Sequence, residues 1–200
     1  GASLEKITKV VDTRPGEIMF GLNMIVNKGK TVFVGDTSVH EYPSSEQLAE
    51  IAISSARVVK LFGFDPKVAF VSHSTFGQPL TSRTKHIKNA VDILKGKDVD
   101  FKFDGDMQPD VALNDQYKEL YPFSEIVGNA NILIMPGQHS AAISYKMMRE
   151  LGGAKVIGPL LIGLGQPIEI APLRSSTSDI LNLASVAAYS AGVINYGKKN

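Results

Sequence analysis

The stretch from Asn131 to Pro167 constrains the fold more than any other part of the chain. It opens with Ile132 to Met135, an apolar run short and dense enough to be a strand buried on both faces. Pro136 and Gly137 stop that strand. From Gln138 to Leu151 the apolar residues Ile143, Met147 and Leu151 recur at helical spacing, so Gln138, His139 and Ser140 fall where a strand hands over to a helix. In an open parallel sheet that is a ligand position, because strand carboxyl ends face helix N-terminal amides there. Gly152 and Gly153 end the helix. Lys155 to Gly158 starts another apolar run, which Pro159 is expected to break.

The rest of the chain supplies a sheet around this unit. Ile18 to Val26 and Thr31 to Val34 flank Asn27-Lys28-Gly29-Lys30, a hairpin pattern expected in an antiparallel part or a second lobe. Pro43 to Gln47 reads as a helix start, with Ser44 as cap and Gln47 reaching back. Lys67 to Ser72 is a buried strand, and its carboxyl end runs into the hydroxyl-rich loop Ser72 to Gln78 before a helix from about Ser82 to Lys95. Phe101 to Phe103 reads as a short strand followed by an acidic loop, Asp104 to Asp110. Pro167 to Pro172 reads as a last strand, and a closing helix begins near Thr177. Strands near 67, 101, 131, 155 and 168 alternating with helices predict an α/β fold with a mainly parallel sheet.

Composition narrows the functional classes. With 200 residues, 44% hydrophobic and 20% charged, the chain can bury a sizeable core. A net charge of +1 argues against nucleic acid or a membrane surface as the main partner. The absence of cysteine removes disulfides, thiolate nucleophiles and Cys zinc sites, and fits a cytoplasmic setting. No run approaches the ~20 apolar residues of a membrane-spanning helix. Without an initiator Met, the chain reads as an expressed or excised fragment.

Several residues invite chemistry. Ser72, Ser74, Thr75 and Gly77 lie on a loop suited to an oxyanion, although it lacks a Walker lysine and serves equally as an ordinary polar loop. Asp104, Asp106 and Asp110 have a spacing that can hold Mg²⁺, but Asp and Gly are also what a turn and helix cap require, and no metal is assigned. His139 is a candidate general acid or base, or else a capping residue. His73 and His139 lie near several serines, with nothing to choose among them for a triad. Ser176-Thr177-Ser178-Asp179 reads first as a capping box and second as the place of a catalytic aspartate.

Five segments in order resemble the phosphate acetyltransferase family: GDTSVHEYPSSEQLAEIA (Gly35 to Ala52), KVAFVSHSTFG (Lys67 to Gly77), DGDMQPDVALN (Asp104 to Asn114), ANILIMPGQHSAAISYK (Ala130 to Lys146) and IGPLLIGLGQPI (Ile157 to Ile168). Within it, MPGQHSAAIS and the ending DILNLASVAAY are most similar to the C-terminal phosphotransacetylase-like domain of hybrid NADP-dependent malic enzymes. Acetyltransferases tend to have Asp at the place of Gly137 and Asn near His139. The resemblance implies a two-lobed α/β fold with helices on both faces, like isocitrate and isopropylmalate dehydrogenases, and a homodimer or higher oligomer. The hairpin would match the middle of the family domain. Residues 1–200 would then be its C-terminal two thirds, with 1–36 and 168–200 forming a separate lobe from 37–167.

The resemblance also implies a ligand and a site. Acetyl-CoA or CoA would bind in a cleft lined by Ser72, Ser74, Thr75, Gly77, Asp104, Gln108, His139 and Ser140, for regulation and oligomerisation. Malate decarboxylation, with NADP and a divalent metal, would belong to a malic-enzyme half outside this chain. Active acetyltransferases carry an Arg-Gly-x-Ser-x-x-Asp pattern. Aligned on Asp179, its arginine falls on Leu173, and Arg174 stands one position late. A cation displaced by one residue points elsewhere, so the expectation is a binding domain with Arg174 and Asp179 as remnants of the catalytic pair. The rival expectations are an active phosphate acetyltransferase and a structural dimerisation module. Ala184, Ala187, Ala188 and Ala191 offer a small-residue face on the closing helix for self-association.

Overall fold

The computed structural model describes residues 6–173 and 175–197. Its strands are β1 (Phe20–Asn27), β2 (Lys30–Gly35), β3 (Lys67–Val71), β4 (Lys102–Met107), β5 (Ile132–Ile134) and β6 (Lys155–Ile162). Its helices are α1 (Ser45–Leu61), α2 (Ser82–Lys95), α3 (Pro109–Leu113), α4 (Gln138–Gly152) and α5 (Thr177–Gly197). The strands form one sheet in the order β4-β3-β5-β2-β1-β6. β2, β5, β3 and β4 are mutually parallel, and β1 is antiparallel to both β2 and β6. All strands but β1 therefore point the same way, which is the mainly parallel sheet expected. The hairpin is its antiparallel part.

Local chemistry sets these elements. Lys28 and Gly29 both take positive φ, 47° and 77°, the conformation a two-residue turn needs to match the twist of β1 and β2. Ser44 and Gln47 form the reciprocal capping box expected at the start of α1. Alternation along the strands sends Phe33, Val68, Phe70 and Ile132 to one face, where α1 and α2 cover them with Leu48, Ile51, Ile87 and Leu94. Val34, Ala69, Val71 and Leu133 go to the other face, under α3 and α4 with Val111, Ile126 and Ala141. Helices thus lie on both faces. α5 contributes Leu183 to the first core and leaves Ile180, Leu181 and Tyr189 at least half exposed. Among the described residues no helix is long and apolar enough to cross a membrane.

Three elements differ from the sequence reading. β4 does not stop at Phe103 but carries Asp104, Gly105 and Asp106 as strand residues: Asp104 and Gly105 pair with Ala69 and Phe70, and a register irregularity skips Asp106 so that Met107 pairs with Val71. Pro159 does not break the run from Lys155, because β6 is an edge strand and the register shift between Leu22 and Met24 absorbs the missing amide. No strand forms at Pro167 to Pro172; a single bridge joins Leu160 to Glu169. Pro167 and Pro172 each lack an amide donor, so pairing can extend no further than the four residues between them.

Two isoleucines test this partition. Ile134→Ala, in a strand buried on both faces, is expected to lower unfolding free energy by about 2–5 kcal/mol, while Ile143→Ala, 58% exposed on α4, should change it by less than about 0.5 kcal/mol. Urea denaturation of both variants checks this.

Candidate functional site

Because β2, β5, β3 and β4 are parallel, their carboxyl ends share one edge of the sheet. The segments after Gly35, Val71, Met107 and Ile134 all leave from it, and α4 presents its N-terminus there. The shared edge inferred from strand–helix order is therefore present. It divides into two hydrogen-bonded halves.

The first half is organised by Asp106, which is fully buried. Its carboxylate accepts from the Ser74 hydroxyl and from the Gly77 amide at 2.9 Å, and its carbonyl accepts from the Phe76 amide at 2.6 Å. Thr75 Oγ1 accepts from the Gln108 amide at 3.2 Å, and Gln108 Nε2 donates to the His73 carbonyl at 3.0 Å. Ser72 Oγ lies 3.2 Å from Ser74 Oγ, and the Ser72 amide donates to the Met107 carbonyl. Ser72, Ser74, Thr75, Gly77 and Gln108 are thus brought together. The hydroxyls of Ser74 and Thr75 are buried and engaged in holding the loop to β4, whereas His73 and Gln78 are exposed. Gly105 permits this closeness: a Cβ there would stand 2.8 Å from Phe70 Cβ. Asp104 is partly buried within β4 and accepts from the Gly105 amide at 2.9 Å. It is a strand residue, not part of an acidic loop.

The second half is organised by Asp36, also buried. Its carboxylate accepts from the amides of Gly21, Ser38, Val39 and His40 and lies 2.8 Å from His40 Nδ1. The start of α4 joins this segment rather than the Ser72 loop. The Gln138 amide donates to the His40 carbonyl at 3.0 Å, Gln138 Nε2 to the Ser38 carbonyl at 3.1 Å, and His139 Nε2 lies 3.0 Å from Glu41 Oε1. Ser140 Oγ donates to the Gly137 carbonyl, and a Cβ at Gly137 would collide with the Glu41 carbonyl oxygen. Sequence reasoning missed Asp36 and used Asp106 only as part of a metal reading. The available signal was a repeated Gly-Asp pair where β2 ends and where β4 ends.

Asp179 lies elsewhere. It accepts from the Ser176 amide at 2.9 Å and the Ser176 hydroxyl at 2.7 Å while its own amide donates to Ser176 Oγ, the capping box of α5. The Ser176 hydroxyl and amide hold its carboxyl below the usual carboxylate range, with Lys155 and Arg149 adding smaller pulls. With Arg149, Lys155, Pro159 and Asn182 it lines a cavity of about 250 Å³. Lys155 opens β6, so this cavity faces the amino-end half of that strand, away from the carboxyl edge. Leu173 is fully exposed, and Arg174 lies outside the described residues. Asp110, the third member of the acidic run, accepts from Tyr117 Oη at 3.0 Å. Among the described residues no group of three or more acidic or histidine side chains is placed to hold a metal ion.

The Asp106 arrangement predicts a specific sensitivity. Asp106→Ala leaves the Ser74 hydroxyl and Gly77 amide without their acceptor and is expected to cost about 2–4 kcal/mol. His139→Ala, on an exposed ion pair, should cost less than about 1 kcal/mol. Denaturant titrations compare them.

The family profile for phosphate acetyl/butaryl transferase matches residues 1–188. The NADP-dependent malic enzyme of Rhizobium meliloti (strain 1021) is 47% identical over 95% of this chain and 25% of its own length. The phosphate acetyltransferase of Bacillus subtilis (strain 168) is 34% identical over 90% of this chain and 56% of its own. A phosphotransacetylase structure from Streptococcus pyogenes superposes with a TM-score of 0.89 at 30% identity, covering 94% of this chain and 59% of that one. The chain thus spans about a quarter of the malic enzyme and little more than half of the acetyltransferases. Sequence profile and superposition agree over almost all of the chain: it belongs to the phosphate acetyl/butaryl transferase family.

Proposed function

We propose that this chain is the phosphotransacetylase-like domain of an NADP-dependent malic enzyme and binds acetyl-CoA as an effector without transferring its acetyl group. The loss of transfer rests on Leu173, which the Arg-Gly-x-Ser-x-x-Asp spacing counted from Asp179 sets at the arginine's place and which is fully exposed, while Asp179 is held in the α5 cap. Acetyl transfer between a thioester and phosphate needs a fixed cation against the developing negative charge. An exposed leucine provides none. The malic-enzyme context is supported by 47% identity to a protein of which this chain matches a quarter.

The ligand reading is supported by the carboxyl edge. The N-terminal turn of α4 beyond Gln138 suits the phosphates of CoA, whereas the amides of Ser38, Val39, His40 and Gly77 already donate to Asp36 and Asp106. The buried hydroxyls of Ser74 and Thr75 act by shaping the loop, which leaves His73, Gln78, His139 and its partner Glu41 among the exposed polar groups of that edge. In this reading the setting is cytoplasmic and the domain self-associates. NADP and a divalent metal act in the malic-enzyme half of the longer protein. A second reading, an active phosphate acetyltransferase, is favoured by the 34% identity to the Bacillus subtilis enzyme.

Thermal unfolding with acetyl-CoA, free CoA and NADP in parallel tests whether acetyl-CoA is the ligand, which both readings require. At a hundredfold excess over the dissociation constant, acetyl-CoA should stabilise the fold by about 2.7 kcal/mol and raise the melting midpoint by roughly 5–10 °C. NADP should not. No shift with acetyl-CoA, in this chain or in the longer protein, removes the effector reading. A coupled assay of acetyl transfer to phosphate is expected to fall at least ~10²-fold below an active family member; a comparable rate would establish the second reading instead.

A further inference from the structure

A cavity of about 410 Å³ lies between α1 and α5, with β6 as its floor. That is within the roughly 300–1,000 Å³ of small-molecule sites. No residue of the loops after β2, β3, β4 and β5 lines it, so it is separate from the acetyl-CoA reading. Val58, Phe62, Leu160, Ile162 and Val186 make most of its wall apolar. Its polar groups are few and their charges unbalanced. Arg14 and Arg57, each partly exposed at the rim, share the single carboxylate of Glu17 at 3.9 and 2.9 Å, the Arg57 contact being an ion pair without an aligned hydrogen bond. The rim therefore carries one uncompensated positive charge. Tyr189 directs its hydroxyl to the Leu61 carbonyl. Inside, Glu169 has a buried Oε2 without a hydrogen-bond partner. Burial pushes its carboxyl up to about 8, with the Leu161 backbone pulling weakly the other way. That shift favours the protonated acid over the anion near neutral pH.

We propose that this cavity is a second ligand site, for a single-chain amphiphile with one anionic end, such as a medium-chain carboxylate. The apolar chain packs against Phe62, Leu160 and Val186, and the carboxylate meets Arg14 and Arg57. A sugar or a nucleotide finds too few donors in such a wall, and a cation is repelled at the rim. The titratable groups that line the cavity with Glu169 are Arg14, Arg57 of α1 and Tyr189 of α5, and Glu17 pairs with both arginines. As pH rises through about 8, Glu169 ionises and opposes a bound carboxylate, so affinity falls there.

Calorimetric titration of the chain with octanoate and with octan-1-ol tests the proposal. Octanoate is expected to bind at least about tenfold more tightly than the alcohol, and Arg57→Gln to remove about that factor. Val186→Trp, which fills the cavity, should abolish binding. Glu169→Gln should bind octanoate at neutral pH and lose the weakening above about pH 8. Circular dichroism establishes that each variant is folded; if Val186→Trp is not, the Arg57→Gln comparison decides. Absence of octanoate binding, equal affinity for the alcohol, or unchanged binding in a folded Val186→Trp would each overturn the site. A pH dependence surviving in Glu169→Gln would overturn the role of that residue.

Discussion

β5 is only three residues long, yet it joins the two parts of the sheet. Ile132, Leu133 and Ile134 pair in parallel with Phe33, Val34 and Gly35 on one side and with Val68, Ala69 and Phe70 on the other. Remove these ladders and β6-β1-β2 separates from β3-β4. Asn131 reinforces the joint at its amino end. Its amide and side-chain oxygen exchange hydrogen bonds with Lys67, its carbonyl accepts from Phe33, and its side-chain nitrogen donates to the Asp65 carbonyl. A strand hydrogen-bonded on both edges and covered on both faces admits no polar side chain, which is why Ile-Leu-Ile stands there.

The same joint aligns the ends of four parallel strands, and the loops beyond them need their own restraint. Two buried aspartates supply it. Asp36 gathers the amides after β2, and Asp106 pins the loop after β3 to β4. Those hydrogen bonds replace the water that burial takes from each carboxylate. The candidate site is thus rigid where it meets the sheet.

Asp179 and the carboxyl-edge loops belong to different faces of the chain. α5 caps itself with the residue that the family resemblance marks as catalytic, and the cavity beside it opens toward the start of β6. A transfer reaction would need thioester, phosphate and cation within a few ångströms. Ligand recognition at the strand ends requires no such convergence.

Local sequence determined much of this protein: the hairpin turn at Lys28-Gly29, the Ser44 capping box, the helix after Pro136-Gly137 and the capping use of Asp179 were legible, because each depends on contacts within a few residues. The five family segments likewise marked the membership that the profile and superposition show. Tertiary structure alone decided that β4 runs on through Asp104-Gly105-Asp106, that Pro159 sits inside an edge strand, and that Gln138 and His139 join Ser38, His40 and Glu41 rather than the Ser72 loop. Each of those outcomes is a hydrogen bond between residues distant in sequence. No local propensity encodes whether an aspartate near a strand's end will find a serine some thirty positions earlier, as Asp106 finds Ser74, or remain in water.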